Sequence, residues 1–264
     1  PLREATAEVL AKDAHLFGAR DALIYVPSRK LGLSNKSFQG ESYYTAANPP
    51  FGAVVTYWLK DGLQTLEEKR QEAEKKLAEA GQAVPYPSFE AMRAEDQEED
   101  PYLLFTISDD GGNVVRRLKT SPKKGVNRIA WDLRWPAEVP VDLSGPGEEN
   151  PFSDPDVGPL VTPGTYTVSL SKVVDGEPQA LAGPRELEVV PLNNATLAAE
   201  DKATLLAFQK EAGSAYREIL AASRRLGDAS GRIRHAKEAI RLTPALPEAV
   251  LAEPAEHGGV AVTG

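Results

Sequence analysis

Two stretches of sequence, GVNRIAWDLRWP at residues 125–136 and VTPGTYTVSL at residues 161–170, decide the fold. In both, large apolar side chains alternate with other residues, so the apolar ones share one face of a β-strand. This face consists of Ile129, Trp131, Leu133, Tyr166, Val168 and Leu170. Burying each such side chain is worth roughly 1.5–3 kcal/mol, so we expect a second sheet to cover the face. The two stretches therefore predict an antiparallel β-sandwich.

Further stretches have the same β-strand character. NPPFGAVVTYWLK at residues 48–60 has a Pro-Pro and Gly entry before a run rich in β-branched and aromatic residues. LLFTISDDGGNVVRRL at residues 103–118 predicts a hairpin, because turn-forming residues at 109–113 separate two strands. We predict strands at residues 53–60, 102–108, 113–119, 126–134, 164–174 and 184–190.

Two stretches with the residue spacing of α-helices are present, one between the predicted strands and one after them. Thr65 and Glu68 have the spacing of a capping box, and the polar, partly acidic stretch at residues 63–100 predicts a solvated helical insertion. Beyond residue 192, apolar residues step by three and four, as in a coiled-coil seam. They are Leu205, Phe208, Ala212, Ala215, Ile219, Ala222 and Leu226, then Ile233, Ala236 and Ile240. We expect Gly227 and Asp228 to stop the first helix and begin a second.

The predicted organisation has four parts. Residues 1–48 form an extended connector, residues 49–192 the sandwich with its insertion, residues 193–243 a helical hairpin and residues 244–264 a flexible tail. The chain begins with Pro1 instead of methionine, so we expect an upstream part to precede it. The fold class is mainly β with α attachments.

Composition excludes several classes of function. A net charge of −9 argues against nucleic acid, whose phosphates need a basic surface, and the short basic clusters suit solvated faces. The absence of cysteine excludes disulfides, thiol catalysis and zinc–thiolate sites. No run approaches the roughly 20 apolar residues of a membrane span, and no signal peptide begins the sequence.

Candidates for chemistry are weak, and we predict no catalytic residue, metal or cofactor. His15, His235 and His257 are far apart in the sequence. Asp154 and Asp156 have a spacing that offers two oxygen ligands to calcium, although a full site needs several more. Trp58 and Trp135 are the weak candidates for stacking on a sugar, since aromatic faces serve in carbohydrate-binding sandwiches.

The segment from Trp131 to Arg134 has its own interpretation. Alternation favours a core position for Trp131, which would anchor the two sheets. Asp132 and Arg134, on the other face, are expected to pair with each other or with neighbouring strands.

The order of these motifs resembles the C-terminal region of secreted bacterial sortilin-like proteins, often named glycosyl hydrolases with BNR-type repeats. The middle part is also similar to the immunoglobulin-like domain of the flagellar hook-capping protein. The resemblance covers residues 6–242. Its matched positions are Asn48, Pro49, Pro50 and Gly52; Gly112, Val114, Val115 and Arg116; Asn127, Trp131, Asp132 and Arg134; and Pro163, Gly164 and Tyr166.

The resemblance implies an immunoglobulin- or fibronectin-III-like sandwich, an upstream β-propeller and a secreted, periplasmic or cell-surface location. In sialidase-type members the catalytic groups lie in the propeller, which this chain lacks, so hydrolase activity does not transfer. Ser108–Gly112 matches the start of the Asp-box of such propellers, a device that stabilises a turn.

Three hypotheses of function remain. The first is a non-catalytic structural or interaction module that packs against the propeller or other subunits, in part through the helical hairpin. The second is a carbohydrate-binding module, and the third is an accessory part of a glycoside hydrolase whose active site lies upstream. The missing catalytic spacing favours the first.

Overall fold

The computed structural model describes residues 2–25, 46, 48–141, 156–192 and 201–243. The chain divides into two compact units. The first comprises Pro1–Ala137 and Val157–Gln209, and the second comprises Glu138–Asp156 and Lys210–Gly264. The elements, after a 3-10 turn at Leu2–Glu4, are α1 (Ala7–Ala11), β1 (Ala14–Leu16), β2 (Ala22–Ile24), β3 (Ala53–Leu59), α2 (Leu66–Glu79), α3 (Phe89–Gln97), β4 (Tyr102–Ser108), β5 (Val114–Thr120), β6 (Gly125–Trp131), β7 (Gly164–Val174), β8 (Glu177–Pro191) and α4 (Lys202–Leu242).

The strands form two sheets in the first unit. A 3-stranded antiparallel sheet has the order β1-β3-β6, with Ala53 opposite Trp131 and Trp58 opposite Val126. A 5-stranded sheet has the order β2-β8-β7-β4-β5. Its pairs are antiparallel except that the short strand β2 runs parallel to β8 at one edge. The predicted β-rich architecture with α attachments is confirmed at this level.

One hydrophobic core draws side chains from both sheets. The rings of Tyr57 on β3 and Phe105 on β4 have centroids 5.0 Å apart, and those of Trp131 and Tyr166 are 5.3 Å apart. Of the face predicted from the sequence, all members are buried except Ile129, which is partly buried against the same cluster. Alternation in the sequence therefore identified the core correctly.

The predicted strands lie within a few residues of the observed ones, with two corrections. Strand β6 ends at Trp131 instead of residue 134, because Leu133 adopts a left-handed φ of 54° that turns the chain. Strand β8 begins at Glu177, well before the predicted residue 184. The signal for that earlier start is Asp175-Gly176, a pair typical of a tight hairpin turn, and both residues have positive φ.

The predicted connector is part of the sheets. Strands β1 and β2 lie within residues 1–48 and each adds an edge to a sheet. Phe17, between them, is 0% exposed. The Glu4 carboxylate accepts a hydrogen bond from the Gly18 N–H at 3.0 Å and lies 2.8 Å from the Arg185 guanidinium. A boundary at residue 48 is therefore wrong for residues 2–25, while residues 26–45 lie outside the described residues.

The helical insertion is confirmed and consists of α2 and α3. Thr65 and Glu68 form the predicted capping box, each side chain bonding the backbone N–H of the other. The Arg70 guanidinium holds α3 to α2 through two bonds to the Glu95 carboxylate, at 2.7 and 2.8 Å. These hydrogen bonds lower the pKa of Glu95, against a smaller opposing effect of desolvation.

The predicted helical hairpin is wrong: α4 is one continuous helix of 41 residues. The expected stop at Gly227 and Asp228 fails because a single glycine costs a helix only about 1 kcal/mol and no proline lies in this helix. Residues 193–200 and the predicted flexible tail at residues 244–264 lie outside the described part of the chain.

Candidate functional site: the exposed seam of helix α4

Helix α4 begins at a well-formed cap. The Asp201 carboxylate accepts hydrogen bonds from the backbone N–H groups of Ala203 and Thr204, at 3.0 and 2.9 Å, and from the Thr204 hydroxyl at 2.6 Å. The Thr204 side chain is the largest cause of a lowered pKa at Asp201. At 1.5 Å per residue, 41 residues give a rod about 60 Å long.

One line of small and apolar residues follows the whole helix, and we call it the α4 seam. Its members are Leu205, Phe208, Ala212, Ala215, Ile219, Ala222, Leu226, Ala229, Ile233, Ala236 and Ile240. Their spacing alternates between three and four without a break, which is the period that keeps a seam facing one partner helix. The predicted stop at Gly227 divides this line in two, and Ala229 is the residue that joins the two halves.

The seam's large side chains are exposed to solvent. Phe208, Ile219, Leu226 and Ile233 are 66%, 68%, 70% and 57% exposed. We expect a second helix, the sandwich or another chain to cover the seam, and in the described part of the chain α4 is one continuous helix, so no second helix of a hairpin covers it. A run of apolar side chains of this length is typical of a surface that binds protein.

The opposite face of α4 is the one that the chain itself covers. In the second unit, the Arg217 guanidinium lies 2.9 Å from the Glu138 carboxylate, and Arg224 donates a hydrogen bond to the Pro140 carbonyl at 3.3 Å. A side chain on Gly213 would lie 2.7 Å from Glu138 Cγ, so glycine permits this approach. At 100° per residue, these positions are turned roughly 130–180° away from the middle of the seam.

Charges flank the seam in an ordered way. Glu211 and Glu218 directly precede Ala212 and Ile219 in its N-terminal half, whereas Arg225 and Arg232 precede Leu226 and Ile233 in its C-terminal half. All of these charged residues are exposed. One side of the seam is therefore acidic in its first half and basic in its second.

The segment from Trp131 to Arg134 has a structural role. Trp131 is 0% exposed, and its indole N–H donates to the Arg134 carbonyl at 3.1 Å. The Asp132 carboxylate accepts from the Arg134 backbone N–H at 3.2 Å, while the Arg134 guanidinium donates to the Gly158 carbonyl at 2.8 Å. Both charged side chains thus hold a chain reversal together, and the predicted core position of Trp131 is confirmed.

The two tryptophans considered for sugar stacking are held by different contacts. Trp58 is half-buried on β3, and its indole N–H donates to the Lys12 carbonyl at 3.2 Å. Trp135 packs partly against the core beyond the opposite end of β6, and its carbonyl accepts from Arg116 at 3.2 Å. Trp58 pairs with Val126 near the start of β6, whereas Trp135 lies four residues beyond the end of β6 at Trp131.

The remaining motif positions act in turns and strand ends. The Asp109 carboxylate accepts from the Asn113 backbone N–H at 2.8 Å, next to Gly112 with a φ of 79°, as the turn interpretation of the Asp-box fragment requires. The Asn127 side chain donates to the Lys123 carbonyl at 2.7 Å. Gly52 lies against the Trp131 carbonyl, where a Cβ would collide. Asn48, Pro49 and Pro50 are exposed, before β3, and Pro163 with Gly164 precedes Tyr166 at the start of β7.

The metal candidates are not brought together. Asp156 is exposed, and Asp154 lies outside the described residues. Among the described residues, no group of three or more His, Asp or Glu side chains could hold a metal ion. His15 lies 3.7 Å from Glu4, His235 is on α4, and His257 falls outside the described part. Within that part, no helix is long and apolar enough to cross a membrane.

Comparison with known proteins adds no identification. No protein-family model matches the chain, and no curated protein or solved structure matches it.

Proposed function

We propose that the chain is a non-catalytic interaction module and that the α4 seam is its binding surface for another polypeptide helix. The exposed seam carries this proposal. A 41-residue helix presents large apolar side chains to solvent along one line, while the chain's own residues 138–140 contact the other side. Removing apolar surface of this kind from water lowers the free energy, so binding of a partner that covers it is favourable.

The polar groups of the first unit support a non-catalytic role. Asp132 and Arg134, its most prominent charged pair in the sequence, bond to backbone groups that close a chain reversal. A general acid or base needs a side chain within reach of a substrate proton, and these side chains are already engaged.

We further propose that the two sheets form an immunoglobulin-like sandwich in a sortilin-like parent protein with an upstream β-propeller. One contact supports the sandwich. The Tyr166 hydroxyl donates to the Thr162 carbonyl, four residues upstream, at 2.7 Å, which is similar to the tyrosine corner of immunoglobulin-like domains. The propeller, and with it a secreted, periplasmic or cell-surface location, rests on the resemblance of motifs alone.

The non-catalytic half of the proposal is tested by a screen for turnover. Purified protein is incubated with chromogenic glycosides, including sialosides, and we expect no saturable turnover. The matched variants are Asp132→Asn and Arg134→Lys. Saturable turnover by the wild-type chain that either variant abolishes would place an active site in this unit and overturn the proposal.

The binding half is tested by a photo-reactive residue placed on or off the seam. Benzophenone-alanine replaces Ile219 in one variant and Leu242, equally exposed at 73% but off the seam, in the other. We expect position 219 alone to cross-link to a polypeptide that mass spectrometry identifies, whether another protein or this chain. Equal yields at both positions, or no cross-link from position 219, would contradict a binding role for the seam.

A further inference from the structure

We infer that the partner on the α4 seam is a second copy of this chain, bound antiparallel, so that Ile219 of each copy packs against Ala222 of the other. The inference rests on the proposed function, since it names the occupant of the same surface. Two independent patterns on α4 lead to this arrangement: side-chain size favours an antiparallel pair, and flanking charge selects its register.

Side-chain size alternates along the seam in a way that suits antiparallel pairing. Seam positions that precede a step of three carry mostly large residues, and those that precede a step of four carry alanine, apart from Phe208. An antiparallel pair places the first kind opposite the second. The layers are then Leu205 with Ala236, Ala212 with Ala229, Ile219 with Ala222, Leu226 with Ala215, and Ile233 with Phe208 of the other copy.

Most layers thus combine a large residue with a small one. Such layers allow the two helices to approach closely without leaving voids, as close packing in protein interiors requires. The seam runs for about five heptads, beyond the three or four from which a coiled coil is normally inferred.

The flanking charges select the register of the antiparallel pair. With Ile219 opposite Ala222, Glu218 faces Arg225 of the other copy and Glu211 faces Arg232. Two-fold symmetry makes each pair occur twice. Oppositely charged residues beside a seam set the orientation of a coiled coil, so this arrangement is attractive along its whole charged edge.

Other arrangements lose some or all of these attractive pairs and bring like charges together. In a parallel pair, each flanking residue faces the residue five places later in the other copy, so Glu218 faces Ser223 and Arg232 faces Lys237. Shifting the antiparallel pair by one heptad in either direction brings Glu218 opposite Glu218, or Arg225 opposite Arg225, at the centre. Like charges at these positions disfavour both arrangements.

Pairing through the seam is compatible with the rest of α4. The contacts that Arg217 and Arg224 make with residues 138 and 140 lie on the opposite side of the helix. A second copy can therefore cover the seam while these contacts remain in place.

Disulfide trapping tests the orientation, because the chain has no cysteine of its own. One preparation carries Leu205→Cys and another Ala236→Cys. In the antiparallel pair these two positions face each other across the copies. Each position lies about 46 Å from its own counterpart, at 1.5 Å per residue from the two-fold axis.

We expect a covalent dimer when the two preparations are mixed under mild oxidation, and little covalent dimer from either alone. Covalent dimers from each preparation alone, without a preference for the mixture, would indicate parallel pairing and overturn the inference.

Charge reversal tests the register. Glu218→Arg turns both central attractive pairs repulsive, and we expect about a tenfold weaker dimer by sedimentation equilibrium at low salt, from the usual strength of such pairs. Asp228→Arg makes the same charge change off the seam and serves as the control. Mixing Glu218→Arg chains with Arg225→Glu chains restores opposite charges, so this mixture should regain wild-type affinity as a heterodimer.

Two outcomes would overturn the inference without touching the proposed function. One is a wild-type chain that remains monomeric at the highest concentration reached, and the other is a photo-cross-link from position 219 only to a different protein. Turnover in the glycoside screen would instead overturn the proposed function whether or not the chain dimerises. The failures are therefore distinguishable.

Discussion

Replacing Trp131 gives the sharpest test of how the two sheets are held together. Trp131 is 0% exposed at the end of β6, its ring lies 5.3 Å from that of Tyr166, and its indole N–H bonds the Arg134 carbonyl. Trp131→Ala removes the whole ring from the core. Buried Trp→Ala changes cost about 3–5 kcal/mol, a large part of the roughly 5–15 kcal/mol that stabilises an ordinary domain.

Trp131→Phe separates packing from hydrogen bonding. A phenyl ring retains part of the packing but cannot donate, so the Arg134 carbonyl loses its indole donor. Leaving such a group without a partner costs about 1–3 kcal/mol, to which the lost ring volume adds. We therefore expect the free energy of unfolding to fall in the order wild type, Trp131→Phe, Trp131→Ala.

Urea denaturation followed by circular dichroism near 218 nm provides the measurement, with roughly constant m-values required for comparison. Trp58→Ala is the control, because Trp58 is only half-buried on the outer face of the same sheet. An unchanged urea midpoint in Trp131→Ala, or an equal loss of stability in Trp58→Ala and Trp131→Ala, would contradict a core shared by the two sheets.

Three further predictions concern the helices. The folded-state pKa of Glu95 lies below its unfolded value, so its bond to Arg70 stabilises the α2–α3 pair above the unfolded pKa and is lost as pH falls through the lowered folded pKa. The protection of both helices from hydrogen exchange, measured relative to the intrinsic exchange rate at each pH, should fall over that acid range in wild type and be already low at neutral pH in Glu95→Gln. Gly227→Ala should raise the thermal midpoint, since alanine stabilises a helix interior by about 0.5–1 kcal/mol and the site has open space, whereas a hairpin turn there would lose stability. Leu226→Lys should weaken association measured by light scattering while Leu242→Lys leaves it unchanged, because both leucines are exposed and only Leu226 belongs to the seam; equal effects of the two would contradict the seam.

Much of the β-structure could be predicted because alternation is a local signal. The strands around Val55, Phe105 and Val168 can be recognised in the sequence, because every second side chain is apolar and faces the core. Strands β1 and β2 could not be found in this way, since 3 residues each are too short to show a period. Their positions depend on pairing with β3 and β8, which are distant in the sequence.

The sequence pattern does not predict the chain reversal after Trp131, for a different reason. Alternation extends through Leu133, and Leu133 is indeed buried, but it reaches the core from a left-handed conformation instead of from a strand. The contacts that support this conformation come from residues far along the chain: the Val161 N–H donates to the Leu133 carbonyl at 2.9 Å, and Gly158 lies against the carbonyl of Trp135. Burial was therefore predictable where backbone geometry was not.

The wrong prediction of a helix end at Gly227 affects the functional conclusion more than any other difference between sequence and structure. A hairpin would bury its own seam, because the second helix would supply Ile233 and Ala236 to the first. A continuous helix cannot fold back on itself, so those residues extend the exposed line beyond Leu226. We propose that a partner of comparable length with its own regular seam covers that line. A second copy of α4 has this length and, in the antiparallel register, the opposite charges. The continuity of α4 through Gly227, which rules out a hairpin, therefore supports self-association.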